Sequence, residues 1–166
     1  MEPSHIQIIP YHKQYDDEIS DLIITTQQNE FGINITLADQ PDLQDIDNFY
    51  RKGSGNFWCA LSPNGKLIGT IALIDIGQGM GAIRKMFVNH EWRGKDKNVA
   101  CALLQTLEAW ALQHSITKLY LGTVEQLKAA QRFYTREGFS LIDAHTLPTS
   151  FPRMAVDTIF YHKTLP

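Results

Sequence analysis

Residues 93–104 read RGKDKNVACALL, from Arg93 to Leu104. This stretch follows a short apolar run, Met86-Phe87-Val88, and passes into residues whose apolar members recur at helical spacing. A basic loop that leaves a strand and opens a helix is suited to an anion. The first N–H groups of a helix have no partner within it, and the helix dipole favours negative charge there. Arg93, Lys95 and Lys97 bring formal positive charge to the same place, and Ala100 is small enough for a phosphate to approach the backbone. The plain alternative is a solvated turn whose lysines keep the surface soluble. Two common phosphate loops are excluded, because neither G-x-x-x-x-G-K-[ST] nor G-x-G-x-x-G occurs in the chain.

A second segment, KAAQRFYTREGF from Lys128 to Phe139, reads as an amphipathic helix stopped by Gly138 before an apolar strand. Glycine is the residue that most cheaply takes the left-handed conformation closing a helix. Together the two segments resemble the GNAT N-acetyltransferase superfamily, in the form of a bacterial-type single-domain member. That family binds acetyl-coenzyme A and acetylates amines. Its loop pattern is Q/R-x-x-G-x-G/A, followed by a helix with paired leucines. With Leu103 and Leu104 held in register, Lys95 falls at the Q/R position, Asn98 at the first glycine and Ala100 at the second. The later pattern, N-x-x-A-x-x-[FL]-Y-x-x-x-G-F, is met by Ala130, Phe133, Tyr134, Gly138 and Phe139. There are two departures. Asn98 replaces a glycine, although Asn tolerates left-handed backbone better than most residues. Leu127 stands where the family's Asn contacts the pantetheine arm.

The resemblance covers roughly residues 56–139 and implies an α/β (α+β) fold. Its sheet would be mixed and mostly antiparallel, with six to seven strands, helices on both faces and a splayed parallel pair at the centre. The cofactor would lie between the strand ending at Val88 and the one ending at Leu121. Backbone groups of Met86, Phe87 and Val88 would pair with the pantetheine as an added strand. The pyrophosphate would rest on the loop after Arg93, formed by Lys95, Asp96, Lys97, Asn98, Val99, Ala100 and Cys101. Ala130, Phe133 and Tyr134 would complete the cofactor set. Tyr134 is the candidate general acid for the departing thiolate, since an ordinary phenol is protonated at neutral pH. Some family members place a basic glutamate on the strand before the loop, but this chain has Ala82 there. Asp75, Glu125 and Asp157, acting directly or through water, are the open substitutes. Arg84 and Lys85 hint at an acceptor bearing a carboxylate or phosphate, although strict alternation lets only one of two adjacent strand residues face a site.

Composition agrees with one folded enzyme domain spanning residues 1–166, with 43% hydrophobic and 20% charged residues arguing against disorder. A net charge of −3 argues against a general nucleic-acid binder. No apolar run approaches the roughly 20 residues of a membrane span, and the first residues lack the layout of a secretory signal. Two cysteines, Cys59 and Cys101, make a disulfide framework improbable, so the cytoplasm is the expected compartment. The six histidines are scattered without ligand spacing, so no metal is expected. Cys101 falls on the first turn of the central helix, where a thiolate would be favoured, but packing beside the cofactor is the plainer reading. Lys128, Arg132 and Arg136 form a basic stripe that is either solvated or turned toward the 3′-phosphate of coenzyme A.

Along the chain, strands are expected at 6–9, 57–61, 67–76, 82–88, 118–121, from Phe139, and at 154–161. Helices are expected at 16–26, 41–50, 98–114 and 127–137, with a glycine turn at 77–81 and an exposed link bracketed by Pro148 and Pro152. Two functions remain open. One is an N-acetyltransferase acting on an amine of a small molecule or protein. The other is a non-catalytic acetyl-coenzyme A sensor or partner module, suggested by the missing glutamate and by Leu127. The segment from Asn29 to Gln40 and the link from His145 to Arg153 would shape the acceptor site without naming the acceptor. Related domains often pair, which leaves a homodimer open.

Overall fold

The turn Pro63-Asn64-Gly65 folds the chain into its first hairpin. The Ser62 carbonyl accepts from Gly65 N–H at 2.8 Å, and Gly65 takes φ +85°, which a side chain would resist. The structure is a computed structural model and describes residues 5–94 and 96–166. The hairpin joins β2 (Asn56–Leu61) to β3 (Leu67–Gly77), and β1 (Gln7–Pro10) pairs antiparallel on the outer side of β2. β4 (Met80–Val88) returns antiparallel to β3 through Gly77, Gln78 and Gly79, all at positive φ. That turn is tighter than the expected 77–81. Gly81 already lies within β4, where a Cβ would come within 2.6 Å of Leu73, so it is a close-packing glycine.

Helix α3 (Val99–Gln113) carries the chain over to β5 (Lys118–Thr123), which lies parallel to β4. Helix α4 (Lys128–Arg136) then leads to β6 (Ser140–Ile142) and β7 (Ile159–Thr164), and β7 fills the place between β5 and β6. Among the described residues the resulting sheet has seven strands in the order β1-β2-β3-β4-β5-β7-β6, with a single parallel pair. The fold expected from the resemblance is therefore the fold observed.

Apolar spacing explains the layers. On one face, Val99, Leu103, Leu104 and Leu107 of α3 pack with Ile68, Ile71 and Leu121. On the other, Ile19 and Ile23 of α1 (Asp16–Ile24) join Ile46 and Tyr50 of α2 (Ile46–Tyr50) against Phe57, Cys59 and Ala72. Helix α1 runs on into a π-helical turn, Thr25–Glu30. The single helix expected at 41–50 is two pieces, a 3₁₀ turn at Pro41–Gln44 and then α2. Asp45 interrupts it at φ −153°, and its carboxylate accepts from the Asn48 amide at 2.9 Å. The final strand begins five residues later than expected. Met154 to Asp157 forms a turn instead, closed by Asp157 N–H to the Met154 carbonyl at 3.1 Å. Nor is the 148–152 link wholly exposed, for Phe151 is buried edge-on against Phe160.

Two irregularities open the centre of the sheet. The β4–β5 ladder runs only from Met80↔Lys118 to Ile83↔Leu121. Just beyond, Thr70 pairs with Phe87 and Ala72 with Arg84, so Lys85 and Met86 together oppose Ile71. Lys85 makes this bulge at φ +54°. Past it, β4 keeps β3 on one side and, among the described residues, has no strand on the other.

Candidate active site

A cavity of about 360 Å³ fills the gap where β4 leaves β5. Met86, Phe87 and Val88 form its strand wall. Gly94, Asn98, Ala100 and Cys101 form its loop wall, and Ala130, Phe133 and Tyr134 of α4 close the third side. Thus the two motif segments, some 30 positions apart in sequence, line one space. Asn98 takes φ +61° at the mouth of α3, and its carbonyl accepts from Ala102 N–H at 3.1 Å. The amides that follow Asn98 therefore precede the first intrahelical bond and are available to an anion.

Several expected cofactor residues stand elsewhere. Val99 is buried in the core under α3. The Lys97 ammonium lies 5.4 Å from the Trp92 ring, and Asp96 sits beside Gly94. Neither Asp96, Lys97 nor Val99 is part of the cavity wall. Lys95 lies outside the described residues. Arg93 does line the cavity, but its charge is already engaged. Its guanidinium grips both oxygens of Glu30, with Nη2 to Oε1 at 2.8 Å, and its Nε donates to the Val88 carbonyl at 2.9 Å. The Arg93 hydrogen bond holds the Glu30 carboxyl below its ordinary range. Arg93 therefore straps the end of β4 to the π-helical turn. In the basic stripe, Arg132 and Arg136 reach the cavity, whereas Lys128 pairs with Glu125 at 3.7 Å. Cys101 departs from the helix-dipole expectation. Burial, and then the Glu137 carboxylate 3.8 Å away, push its thiol up.

A second cavity of about 90 Å³ adjoins the first, and Met86, Phe87, Leu127, Ala130 and Tyr134 line both. Tyr134 stands at the junction. Its ring packs against Phe133, Phe139 and Tyr161, and burial together with the nearby Asp157 charge keeps its phenol above the ordinary value. Asp157 lines the smaller cavity at 7% exposure, resting against Gly122 of β5. Burial raises its carboxyl, opposed by Arg84 and by the Met154 amide, which donates to Oδ2 at 3.4 Å. The other two candidate bases are placed differently. Asp75 accepts from Ser54 and Gly77 N–H at 2.9 and 3.0 Å, a turn-holding role, and Glu125 is exposed beside Lys128.

Alternation along β4 had left room for only one of Arg84 and Lys85. The bulge changes that, and both line the smaller cavity. The buried Lys85 ammonium donates to the Gln40 amide oxygen and lies 3.6 Å from Asp42, which also accepts from the Tyr50 hydroxyl. Burial lowers the Lys85 pKa to about 8, with Asp42 acting against that fall. Gln40 and Gln27 exchange hydrogen bonds at 2.9 and 3.2 Å, tying the 31–40 connector to the helical side. Through that connector Ile33 and Ile35 reach the smaller cavity. Sequence reading missed the contributions of Thr26, Phe31, Trp92 and Gly94; Gly94 lies within the basic loop but outside the register that Leu103 and Leu104 set. Among the described residues, no group of three or more His, Cys, Asp or Glu could hold a metal ion, and no helix is long and apolar enough to cross a membrane.

Known proteins share this fold. An acetyltransferase of the GNAT family from Staphylococcus aureus Mu50 is 37% identical, with a TM-score of 0.93 over 97% of this chain and 99% of that one. The PaiA N-acetyltransferase of Thermoplasma acidophilum, solved in complex with coenzyme A, has the same fold at 17% identity, with a TM-score of 0.72 over 96% of this chain and 99% of that one. The N-acetylaspartate synthetase of Xenopus tropicalis is 28% identical over 120 residues, covering 69% of this chain. This chain spans 43% of that relative, less than half its length. Residues 21–139 match the family described as Acetyltransferase (GNAT), and with the sheet, the splay and the loop in place the chain belongs to that family.

Proposed function

We propose that this protein is an N-acetyltransferase that moves the acetyl group of acetyl-coenzyme A to a primary amine of a small molecule or protein, with Asp157 as general base and Tyr134 as general acid. The observation that carries the reading is that Tyr134 lines both cavities and a buried carboxylate, Asp157, lines the smaller one with it. The larger cavity suits the co-substrate. The unpaired edge of β4 offers backbone partners for an amide-bearing arm, and the unpaired amides at the start of α3 suit a diphosphate. Arg132 supplies further positive charge at its rim, whereas Arg136 is paired with Glu137 at 4.0 Å.

In this reading, Asp157 accepts a proton of the incoming ammonium, and the freed nitrogen forms the C–N bond to the acetyl carbon. The C–S bond breaks as Tyr134 passes its hydroxyl proton to the departing sulfur, and the second proton, shed by the nitrogen as it becomes an amide, restores the Tyr134 phenol. The raised carboxyl pKa of Asp157 makes it a stronger base than an exposed aspartate. The raised phenol pKa keeps Tyr134 protonated until that moment. The name of the amphibian relative, an N-acetylaspartate synthetase, supports a small amine as the acceptor. The free thiols of Cys59 and Cys101 support a reducing compartment, hence the cytoplasm.

Release of free thiol from acetyl-coenzyme A across a panel of amines tests the activity. Tyr134→Phe should slow turnover by about 10- to 100-fold, within the usual reach of a general acid, with calorimetric affinity for acetyl-coenzyme A nearly unchanged. Saturable binding without turnover on any amine would instead identify a sensor module.

A further inference from the structure

Three cationic side chains surround the Asp157 carboxylate. Arg84, Lys85 and Arg153 all act on that carboxylate, yet among the described residues none is ion-paired to it. Lys85 is spoken for by Gln40 and Asp42. The Arg153 guanidinium lies over the Phe160 ring, 4.9 Å from its centroid. Arg84 is lightly anchored on the cavity wall. It donates one long hydrogen bond, 3.4 Å, to the Pro152 carbonyl, and among the described residues it has no carboxylate partner. The bulge at Lys85 keeps Arg84 on the wall of the smaller cavity, along with Asp157 and Tyr134. A guanidinium is a planar fork suited to a carboxylate.

With Lys85 and Asp42 cancelling and Arg153 exposed outside the cavity, its wall keeps one guanidinium, Arg84, and one carboxylate, Asp157. A guest that balances this set must offer an ammonium to Asp157 and an anion to Arg84. A polycation would meet like charge, which is strongly disfavoured in a confined site. Size narrows the choice further. At about 90 Å³ the space is far smaller than the roughly 300 Å³ and upward of drug-sized ligand sites. Ile33, Ile35 and Val156 add apolar wall beside the polar Gln27 and Thr123.

Resting on the N-acetyltransferase reading, we propose that the acceptor is a small zwitterionic amine, a free amino acid, whose carboxylate pairs with Arg84 while its amino group lies between Asp157 and Tyr134. Arg84 is then a binding residue that sets specificity. An amine without a nearby anion leaves the Arg84 guanidinium half-buried and uncompensated, so amides, peptide N-termini and polyamines are poorer substrates.

The test is thiol release from acetyl-coenzyme A with short amino acids, their carboxamides, a peptide N-terminus and a linear triamine, using the full chain. Native protein should prefer an amino acid over its carboxamide by about 10- to 100-fold in kcat/KM, the range of one charge-assisted hydrogen bond. In Arg84→Met the acid-to-amide ratio should collapse to within about threefold, through a higher KM for the acid, and Arg84→Lys should recover part of it. A merely structural role would lower both substrates alike and leave the ratio intact. Calorimetric binding of acetyl-coenzyme A to each variant shows that it is folded. Equal use of acid and amide by native protein, a ratio untouched by Arg84→Met, or a preference for the triamine would each overturn the proposal. Turnover of amides, peptide or triamine without turnover of amino acids would sink this inference and leave the acetyltransferase standing. Turnover of no amine at all would sink both.

Discussion

Gly122→Ala perturbs the Asp157 carboxylate without altering its chemistry. A Cβ on Gly122 would lie 2.6 Å from Asp157 Oδ2, 2.9 Å from its Cγ and 3.0 Å from Phe160 Cε1. Ordinary contact begins at 3.4 Å, so the carboxylate must retreat by about 0.8 Å. Gly122 is not among the positive-φ glycines, so alanine brings no backbone strain and the effect is one of contact alone. Phe160 is 2% exposed and braced by Phe151, so the ring has little room to move and the displacement falls mainly on Asp157. Misplacing a catalytic group by about 1 Å costs on the order of 10²-fold in rate. Turnover should therefore fall by about 30- to 100-fold, read as thiol release at saturating acetyl-coenzyme A. Overpacking of this kind costs about 1–3 kcal/mol, so a modest drop in Tm should accompany it without unfolding a domain of ordinary stability. The larger cavity does not include Gly122, so calorimetric affinity for acetyl-coenzyme A should change less than about twofold. A variant with lowered Tm but turnover within about threefold of native would refute the placement of the base, because the carboxylate would have moved without consequence.

Asp157→Asn should abolish turnover by about 10²- to 10⁴-fold and yet raise Tm at pH 8. Burial lifts the folded carboxyl above its unfolded value, so the stability tied to its proton is present in acid and is lost as pH rises through the folded pKa. The amide escapes that loss, and the two melting curves should converge on acidification; a lower Tm for the amide at pH 8 would contradict this. Lys85 gives the opposite slope. With its folded pKa near 8 against 10.5 unfolded, the native state releases its proton first, so unfolding free energy should climb between those pH values. Lys85→Met should erase the climb in urea titrations, and at pH 7 it should cost about 3 kcal/mol by leaving Asp42 without its cation. Adding Asp42→Asn should recover part of that cost, and a pH-independent native protein would contradict the assignment. Asn98→Ala should lose about 1 kcal/mol because Asn98 holds φ +61°, and it should weaken acetyl-coenzyme A several-fold by calorimetry, whereas Asn98→Gly should be neutral. Equal affinity in the alanine variant would show that the loop does not depend on that conformation.

Local signals made most of the frame legible. The Pro63-Asn64-Gly65 turn, the Gly138 stop and the apolar stripe of α3 each act over a few residues, and all stand where they were expected. The loop and the later motif also converge on one cavity, because a strand, a crossover helix and a second helix leave few other arrangements. Errors gathered where distant side chains decide local shape. The last strand starts late because the 154–157 turn sets Asp157 over Gly122, 35 positions earlier in the chain. The helix at 41–50 is broken within a segment whose Asp42 and Tyr50 join the polar cluster around Lys85. Arg93 carries the charge of a phosphate ligand but spends it on Glu30, 63 positions away. No periodicity encodes pairings of that range.

The bulge at Lys85 links these departures. One extra residue in β4 moves Met86 and Val88 to the α3 face, sends Arg84 and Lys85 together to the smaller cavity, and accompanies the end of the β4–β5 ladder. An apolar residue in place of the Lys85–Asp42 pair could match or exceed its stability, since buried ion pairs recover little of their desolvation cost. What the pair supplies is connection. Lys85 joins the bulge to Gln40, Gln40 joins Gln27 and the Thr36 carbonyl, and Gln28 holds the Ile35 carbonyl at 2.7 Å. The wall formed by Ile33 and Ile35 is thereby tied to the strand that carries Arg84. Breaking the pair should then loosen acceptor binding as well as the fold, and the Asp42→Asn rescue separates the two, because it relieves the stranded charge without rebuilding the Lys85–Gln40 link.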